Sequence, residues 1–307
     1  MGKCAPAWSG VYPAATTQLA PDGSVELEAT QRSLSALVED GVDGLVVLGT
    51  CGENNSLTPP EKKAVLRAAV EAVNGRVPIV VGVSELCTAR AATFAREAEE
   101  LGADALMVLP AMVYVPTAHE LTVHFKTVAE ASALPVMLYN NPPAYRVNLS
   151  VDVLDALVGC ETIVAVKESA PDTRRFTDIL NRYGDRFKVM AGLDDVALEG
   201  LMLGASGWVS GLTSAFPAES VAMTRACAEG DWQTAREIYR WFMPLLHLDA
   251  DHDLVQCIKL AEEIMGRGSE RVRLPRLPLS GERRAQVARM VEQCAATRPT
   301  IKVAKAA

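Results

Sequence analysis

Eight short runs rich in apolar and β-branched residues alternate with helical patterns between residues 10 and 210, and this alternation limits the possible folds more than any other feature of the chain. The runs are 10–17, 44–48, 78–82, 105–109, 135–139, 162–167, 187–191 and 207–210. Runs such as Ile79-Val80-Val81 and Ile163-Val164-Ala165-Val166 are apolar throughout, as expected of strands covered on both faces in a parallel sheet. Helical patterns separate them, among others at 25–40, 60–73, 89–102 and 118–132. Pro59-Pro60-Glu61 suits a first helical turn, where a missing N–H costs nothing. Asp40-Gly41 and Leu101-Gly102 put a glycine just past a helix end.

Parallel strands each followed by a helix predict an α/β fold, a (β/α)8 or TIM barrel. A doubly wound open sheet is the alternative. It usually carries a glycine-rich phosphate loop after its first strand, and Pro13-Ala14-Ala15-Thr16-Thr17 is not one. From about Ala218 the chain reads as helices only, at 221–229, 232–246, 253–265 and 282–294, with 271–278 as a connector. Residues 1–217 are therefore expected to form the catalytic barrel, and 218–307 a C-terminal helical extension packed on it.

Bulk properties exclude several function classes. A net charge of -8 over 307 residues argues against nucleic acid or an anionic membrane as the main partner. No apolar run approaches the ~20 residues of a membrane span. Met1-Gly2-Lys3-Cys4-Ala5-Pro6 lacks a signal-peptide stretch, and Pro6 replaces the Ser/Thr of a myristoylation signal. The seven cysteines are scattered and odd in number, with no Cys-x-x-Cys, which fits reduced thiols in a cytoplasmic protein. His119 and His124 lie five apart, and His247 and His252 have no paired ligand motif, so no metal site is expected.

In such a barrel the chemistry lies at the C-terminal ends of the strands. Lys167, one of nine lysines, ends the sixth strand. Desolvation there favours the neutral amine, which can attack a carbonyl or imine carbon and form a Schiff base. A lysine snorkelling from the rim is the plainer reading. Lys188 starts strand seven and belongs to the opposite face. After strand two, Gly49-Thr50-Cys51-Gly52-Glu53-Asn54 allows a tight turn whose N–H groups can converge on a carboxylate. Tyr139 ends strand five beside Lys167 and is a candidate proton carrier.

Gly-Thr-x-Gly-Glu after strand two, Tyr-Asn-x-Pro after strand five and Val-Lys-Glu after strand six occur together and in order. The set resembles the dihydrodipicolinate synthase / N-acetylneuraminate lyase family of class I Schiff-base lyases and dehydratases. The resemblance extends to Ala191-Gly192-Leu193-Asp194-Asp195 and to Gly207-Trp208-Val209-Ser210. It implies that Lys167 forms the Schiff base, that Tyr139 relays protons and that Thr50 supports Tyr139. It further implies that Thr50 and Cys51 hold the α-carboxylate of a small 2-oxo or cyclic imino acid, with Gly192 and Val209 against the substrate. No cofactor is implied, since the lysine is itself the electron sink, and a homotetramer built as a dimer of dimers is.

Two departures bear on the substrate. The synthase usually has Thr-Thr before its Gly-Glu; here the pair is Thr50-Cys51, and a thiol is a weak donor. The synthase also carries an arginine five residues after the tyrosine, for a second carboxylate. That position is Ala144, with Arg146 two residues beyond. Pro110-Ala111-Met112-Val113-Tyr114 lacks the paired tyrosines that the synthase lends across its dimer, and Tyr114 is a displaced candidate. The strings 49–57 and 139–146 look most like the branch of 1-pyrroline-4-hydroxy-2-carboxylate deaminases of hydroxyproline breakdown. By that resemblance Lys167 attacks C2 of the cyclic imine, the 4-hydroxyl is expelled, and hydrolysis yields ammonia and 2,5-dioxopentanoate. Another lyase of the family (a sugar-acid dehydratase, a pyruvate-dependent aldolase or the synthase itself) and a non-catalytic carboxylate-binding barrel remain as alternatives.

Overall fold

The computed structural model describes residues 5–111 and 114–300. The N-terminal string 1–4, Met112, Val113 and the final residues 301–307 lie outside the described residues. Eight parallel strands run in the order β1-β8-β7-β6-β5-β4-β3-β2, so each sequence neighbour is also a spatial neighbour. They are β1 (Gly10–Pro13), β2 (Leu45–Val47), β3 (Ile79–Val83), β4 (Ala105–Val108), β5 (Val136–Asn140), β6 (Ile163–Glu168), β7 (Lys188–Ala191) and β8 (Gly207–Ser210). A bridge between Ala14 and Val46, with Ala15 N–H donating to Val46 O at 2.9 Å, joins the first and second strands and closes the ring. This is the (β/α)8 barrel that the alternation predicts.

Every predicted run coincides with a strand, though β3, β5 and β6 each extend one residue past the run and most of the other ends are trimmed. The first run is shortened most, because Thr16 and Thr17 leave the sheet: Thr16 Oγ1 donates to Glu262 at 2.7 Å and Thr17 Oγ1 to Gly52 O at 2.7 Å. The strands are short and almost wholly buried. Gly82 shows how tightly the ring is drawn, since a Cβ there would lie 2.2 Å from Leu48 O on the neighbouring strand end. Only glycine fits that approach.

The expected division at residue 217 falls at the first residue of helix Pro217–Ala228, which follows β8 and packs against β1. Three more helices follow at Trp232–Leu246, Leu254–Ile264 and Gly281–Ala296. They share one apolar core with the barrel. Phe216 after β8 meets Phe242 at 5.5 Å and Trp241 at 5.8 Å between ring centroids, both edge-on.

A buried ion pair fastens this extension to the loop after β2. Lys259 Nζ donates to Glu53 Oε1 at 2.6 Å and to Thr17 O at 2.9 Å, while Glu53 Oε2 accepts from Arg273 N–H at 2.9 Å. Both side chains are fully buried. Glu53 itself sits at φ 54°, a left-handed conformation that needs such support in a non-glycine residue. Removing one partner of a buried pair strands the other charge and costs roughly 3–5 kcal/mol. Lys259→Met is accordingly expected to lower thermal stability by that order, and adding Glu53→Gln to recover part of it, as read from denaturation midpoints. Equal midpoints for wild type and Lys259→Met would contradict the anchoring role.

Candidate active site

Tyr139 and Lys167 are register partners on β5 and β6, so their side chains leave the sheet at the same height and on the same face. Lys167 Nζ lies 4.2 Å from the centre of the Tyr139 ring, and both side chains are about 5 % exposed. They border a small cavity at the C-terminal strand ends. Gly49, Thr50 and Cys51 supply one wall, Met107 another, Asn141, Ala144 and Tyr145 a third, and Gly211, Asp249 and Leu254 close it. A larger cavity of about 310 Å³ beside Gly10, Asp43 and Gly207 opens at the opposite ends of the strands. It contains none of the residues chosen from the sequence. Lys188, on that side, is tied to the exposed Asp185 at 2.9 Å.

The strand ends that carry this pair are braced from behind. Glu168, fully buried, accepts from Asn140 Nδ2 at 2.8 Å, from Ala170 N–H at 2.8 Å and from Arg175 Nε at 2.8 Å. Its carboxylate thus joins the ends of β5 and β6 and fixes the backbone of Lys167. On the other side, a Cβ at Gly192 would lie 2.6 Å from the Lys167 side chain. Gly192 therefore leaves room for the lysine side chain and is not among the residues lining the cavity. Val209 is buried in β8, opposite Tyr12 of β1, and also lies outside the lining.

Thr50 departs from its expected partner. Its hydroxyl bonds the phenol of Tyr145, not that of Tyr139. Tyr139 Oη instead accepts from Asn141 Nδ2 at 3.0 Å. The two tyrosine rings stand edge-on with centroids 5.5 Å apart, so Thr50, Tyr145, Tyr139 and Lys167 form one contiguous group. Asn141 Oδ1 accepts from Ala144 N–H at 3.1 Å and caps the single turn Pro142–Tyr145, which folds Tyr145 back over the mouth. An Asn-Pro start is a helix-initiation signal that could have located this tyrosine from the sequence.

Burial pushes the Tyr139 and Tyr145 phenols above their usual range, and the Cys51 thiol likewise. At neutral pH the phenols stay O–H donors and Cys51 stays a thiol, which leaves Lys167 as the candidate nucleophile of this cavity. Cys51, Cys87, Cys160, Cys227, Cys257 and Cys294 are all unpaired.

Ala144 lines the cavity, and Arg146 does not replace an arginine there: it is exposed, at φ 57°. Tyr114 does not line this chain's own cavity. It is 59 % exposed and donates to Glu120 Oε1 at 3.1 Å. The charged groups of the lining are Lys167 and Asp249. Asp249 was not selected from the sequence, because it follows helix Trp232–Leu246 in the extension and reaches the cavity only through the fold.

A parallel barrel with a lysine buried at the C-terminal end of its sixth strand defines a class, and comparison with known proteins gives the family. The model of the dihydrodipicolinate synthetase family matches residues 7–294, and the chain belongs to that family. It is 34 % identical over 284 residues to a 4-hydroxy-tetrahydrodipicolinate synthase of Acidobacterium capsulatum, covering 92 % of this chain and 94 % of that one. It is similar at 33 % identity to the protein of that name from Methanocaldococcus jannaschii, covering 90 % and 94 %. The crystal structure of dihydrodipicolinate synthase from Aquifex aeolicus superposes with a TM-score of 0.89 at 32 % identity, covering 93 % of this chain and 97 % of that one. A pyruvate complex of an E. coli prophage protein of the same family superposes with a TM-score of 0.88 at 27 % identity, covering 94 % and 99 %. Among the described residues no helix is long and apolar enough to cross a membrane.

Proposed function

We propose that the protein is a Schiff-base-forming lyase in which Lys167 is the nucleophile, and that its substrate is 1-pyrroline-4-hydroxy-2-carboxylate. The observation that carries the first part is the Lys167 amine, 4.2 Å from the Tyr139 ring centre in a cavity bordered by Thr50 and Tyr145. The amine adds to C2 of the cyclic imine, the C2–N1 bond breaks, and N1 leaves as a primary amine on C5. Loss of a C3 proton gives the enamine, whose electron pair expels the hydroxyl from C4. Tautomerisation moves unsaturation to C5. Water then releases ammonia from C5 and frees Lys167 from C2, leaving 2,5-dioxopentanoate with one net water consumed.

Tyr139, Tyr145 and Thr50 are suited to carry the protons of these steps, and the Gly49–Cys51 turn to hold the single carboxylate. The substrate choice is supported by the lining. A substrate with a second carboxylate finds Ala144 and Asp249 there, and no arginine among the described lining residues. An unpaired charge in such a site costs several kcal/mol. The names of the relatives favour a second reading, condensation of pyruvate with aspartate semialdehyde by a 4-hydroxy-tetrahydrodipicolinate synthase.

Parallel steady-state assays separate the two. Ammonia release from the pyrroline is expected at a kcat/KM at least about a hundredfold above condensation with the semialdehyde, about 2.7 kcal/mol of differential transition-state binding. Efficient condensation with the pyrroline left untouched establishes the second reading instead. A homotetramer, a dimer of dimers, is part of the proposal, as is cytoplasmic residence.

A further inference from the structure

Among the described residues Asp249 is the one carboxylate in the cavity lining, and no step of the chemistry above uses it. It ends the 3-10 turn His247–Asp249, which joins the extension's helix Trp232–Leu246 to the helix Leu254–Ile264. Two observations place the side chain at the mouth. Asp249 Oδ2 accepts from Asp194 N–H at 3.4 Å, and a Cβ added to Gly211 would lie 2.8 Å from Asp249 Oδ1 and 3.5 Å from Cys51 Sγ. Gly211 thus leaves the space that the carboxyl occupies, beside the turn assigned to the substrate carboxylate.

From this geometry we infer that Asp249 is a catalytic acid of the site, giving its proton to the hydroxyl that departs from C4. The inference rests on the Schiff-base reading above. In that step the enamine C2=C3 pair moves to form C3=C4, the C4–O bond breaks, and the oxygen takes the proton of Asp249 and leaves as water. Asp249 remains as a carboxylate next to Lys167 and the newly freed C5 amine, and a proton from solvent restores it in the next cycle. Hydroxide is a poor leaving group, so a proton delivered as the bond breaks is where an acid contributes most, typically 10²–10⁴-fold.

The surroundings suit a carboxyl that is protonated when needed. Burial pushes Asp249 up to about 6, opposed by the Lys167 ammonium and the Asp194 N–H and reinforced by Asp195. Asp194, which accepts from Trp208 Nε1 at 2.9 Å and Ser210 Oγ at 3.0 Å, is itself pushed up by burial and by Asp249. Cys51 and Tyr139 face the same cavity and remain uncharged at neutral pH. A bound substrate carboxylate adds negative charge nearby and raises Asp249 further.

The test compares wild type with Asp249→Asn in two assays. The first is borohydride trapping of pyruvate on Lys167, which needs no acid at C4 and also reports an intact site. The second is turnover of 1-pyrroline-4-hydroxy-2-carboxylate across pH. Asp249→Asn is expected to trap pyruvate to the wild-type extent and to lose about a hundredfold or more in kcat. The limb of the wild-type kcat/KM profile that falls as pH rises past about 6 is expected to be absent from the variant. If wild type turns the pyrroline over and Asp249→Asn does so within about fivefold with the same profile, Asp249 is not the acid and the substrate reading stands. If wild type traps pyruvate but leaves the pyrroline untouched, the substrate reading fails, and the acid fails with it for want of a 4-hydroxyl. An Asp249→Asn protein that no longer traps pyruvate makes Asp249 a positioning group for Lys167 and also overturns the assignment.

Discussion

Lys167→Ala is expected to bring turnover below about 10⁻⁴ of wild type, a loss of about 5.4 kcal/mol in transition-state stabilisation. The reason is chemical. No other lysine among the described residues borders the cavity, and the phenols and thiol that do are held protonated by burial. The fold should tolerate the change, because the Lys167 amine faces the Tyr139 ring and the cavity at the C-terminal strand ends. The strand ends keep their brace through Glu168, Asn140 and Arg175. Borohydride with pyruvate should add mass to wild type and not to the variant, and peptide mapping should find the adduct in β6. Trapping on a different lysine, or a variant with more than about 1 % of wild-type turnover, removes Lys167 from the role.

Much of the barrel was legible because a parallel sheet writes itself as apolar runs. Ile79–Val83 and Ile163–Glu168 are buried almost end to end, so periodicity and β-branching mark them without knowledge of their neighbours. Lys167 stood out for the same reason, as a cation at the C-terminal end of such a run. The residues that were missed belong to contacts distant in sequence. Glu53 reaches Lys259 across 206 positions, and Thr16 reaches Glu262 across 246. Asp249 enters the cavity through two helices of the extension whose packing no local pattern describes. The pairing of Thr50 with Tyr145 in place of Tyr139 turns on a single capped turn, Pro142–Tyr145, which brings the Tyr145 phenol to the Thr50 hydroxyl. Strand positions follow from composition over five residues; the direction of one side chain follows from one hydrogen bond.

That hydrogen-bond geometry makes Tyr139→Phe the second large effect expected. The substitution removes one oxygen and leaves the ring that faces Lys167 and Tyr145. Asn141 Nδ2 loses its acceptor at 3.0 Å. Asn141 is only half-buried, so water can replace the bond, and the cost to stability is held to about 1 kcal/mol. Catalysis should suffer far more. Burial keeps the Tyr139 phenol protonated, so in the proposed chemistry its part is to donate a proton to the nitrogen leaving C2 and to recover it from the next step through its neighbours. Losing a positioned proton carrier typically costs 10²–10⁴-fold, and the loss should fall on kcat with KM little changed, because ring and carboxylate turn are intact. Tyr145→Phe cuts the bond to Thr50 but leaves the phenol whose ring faces the amine, so its effect should be smaller than that of Tyr139→Phe. Single-turnover measurements on the two variants check the order. A loss under about fivefold for Tyr139→Phe makes that phenol a wall of the pocket, and a larger loss for Tyr145→Phe makes the Thr50-linked phenol the principal carrier.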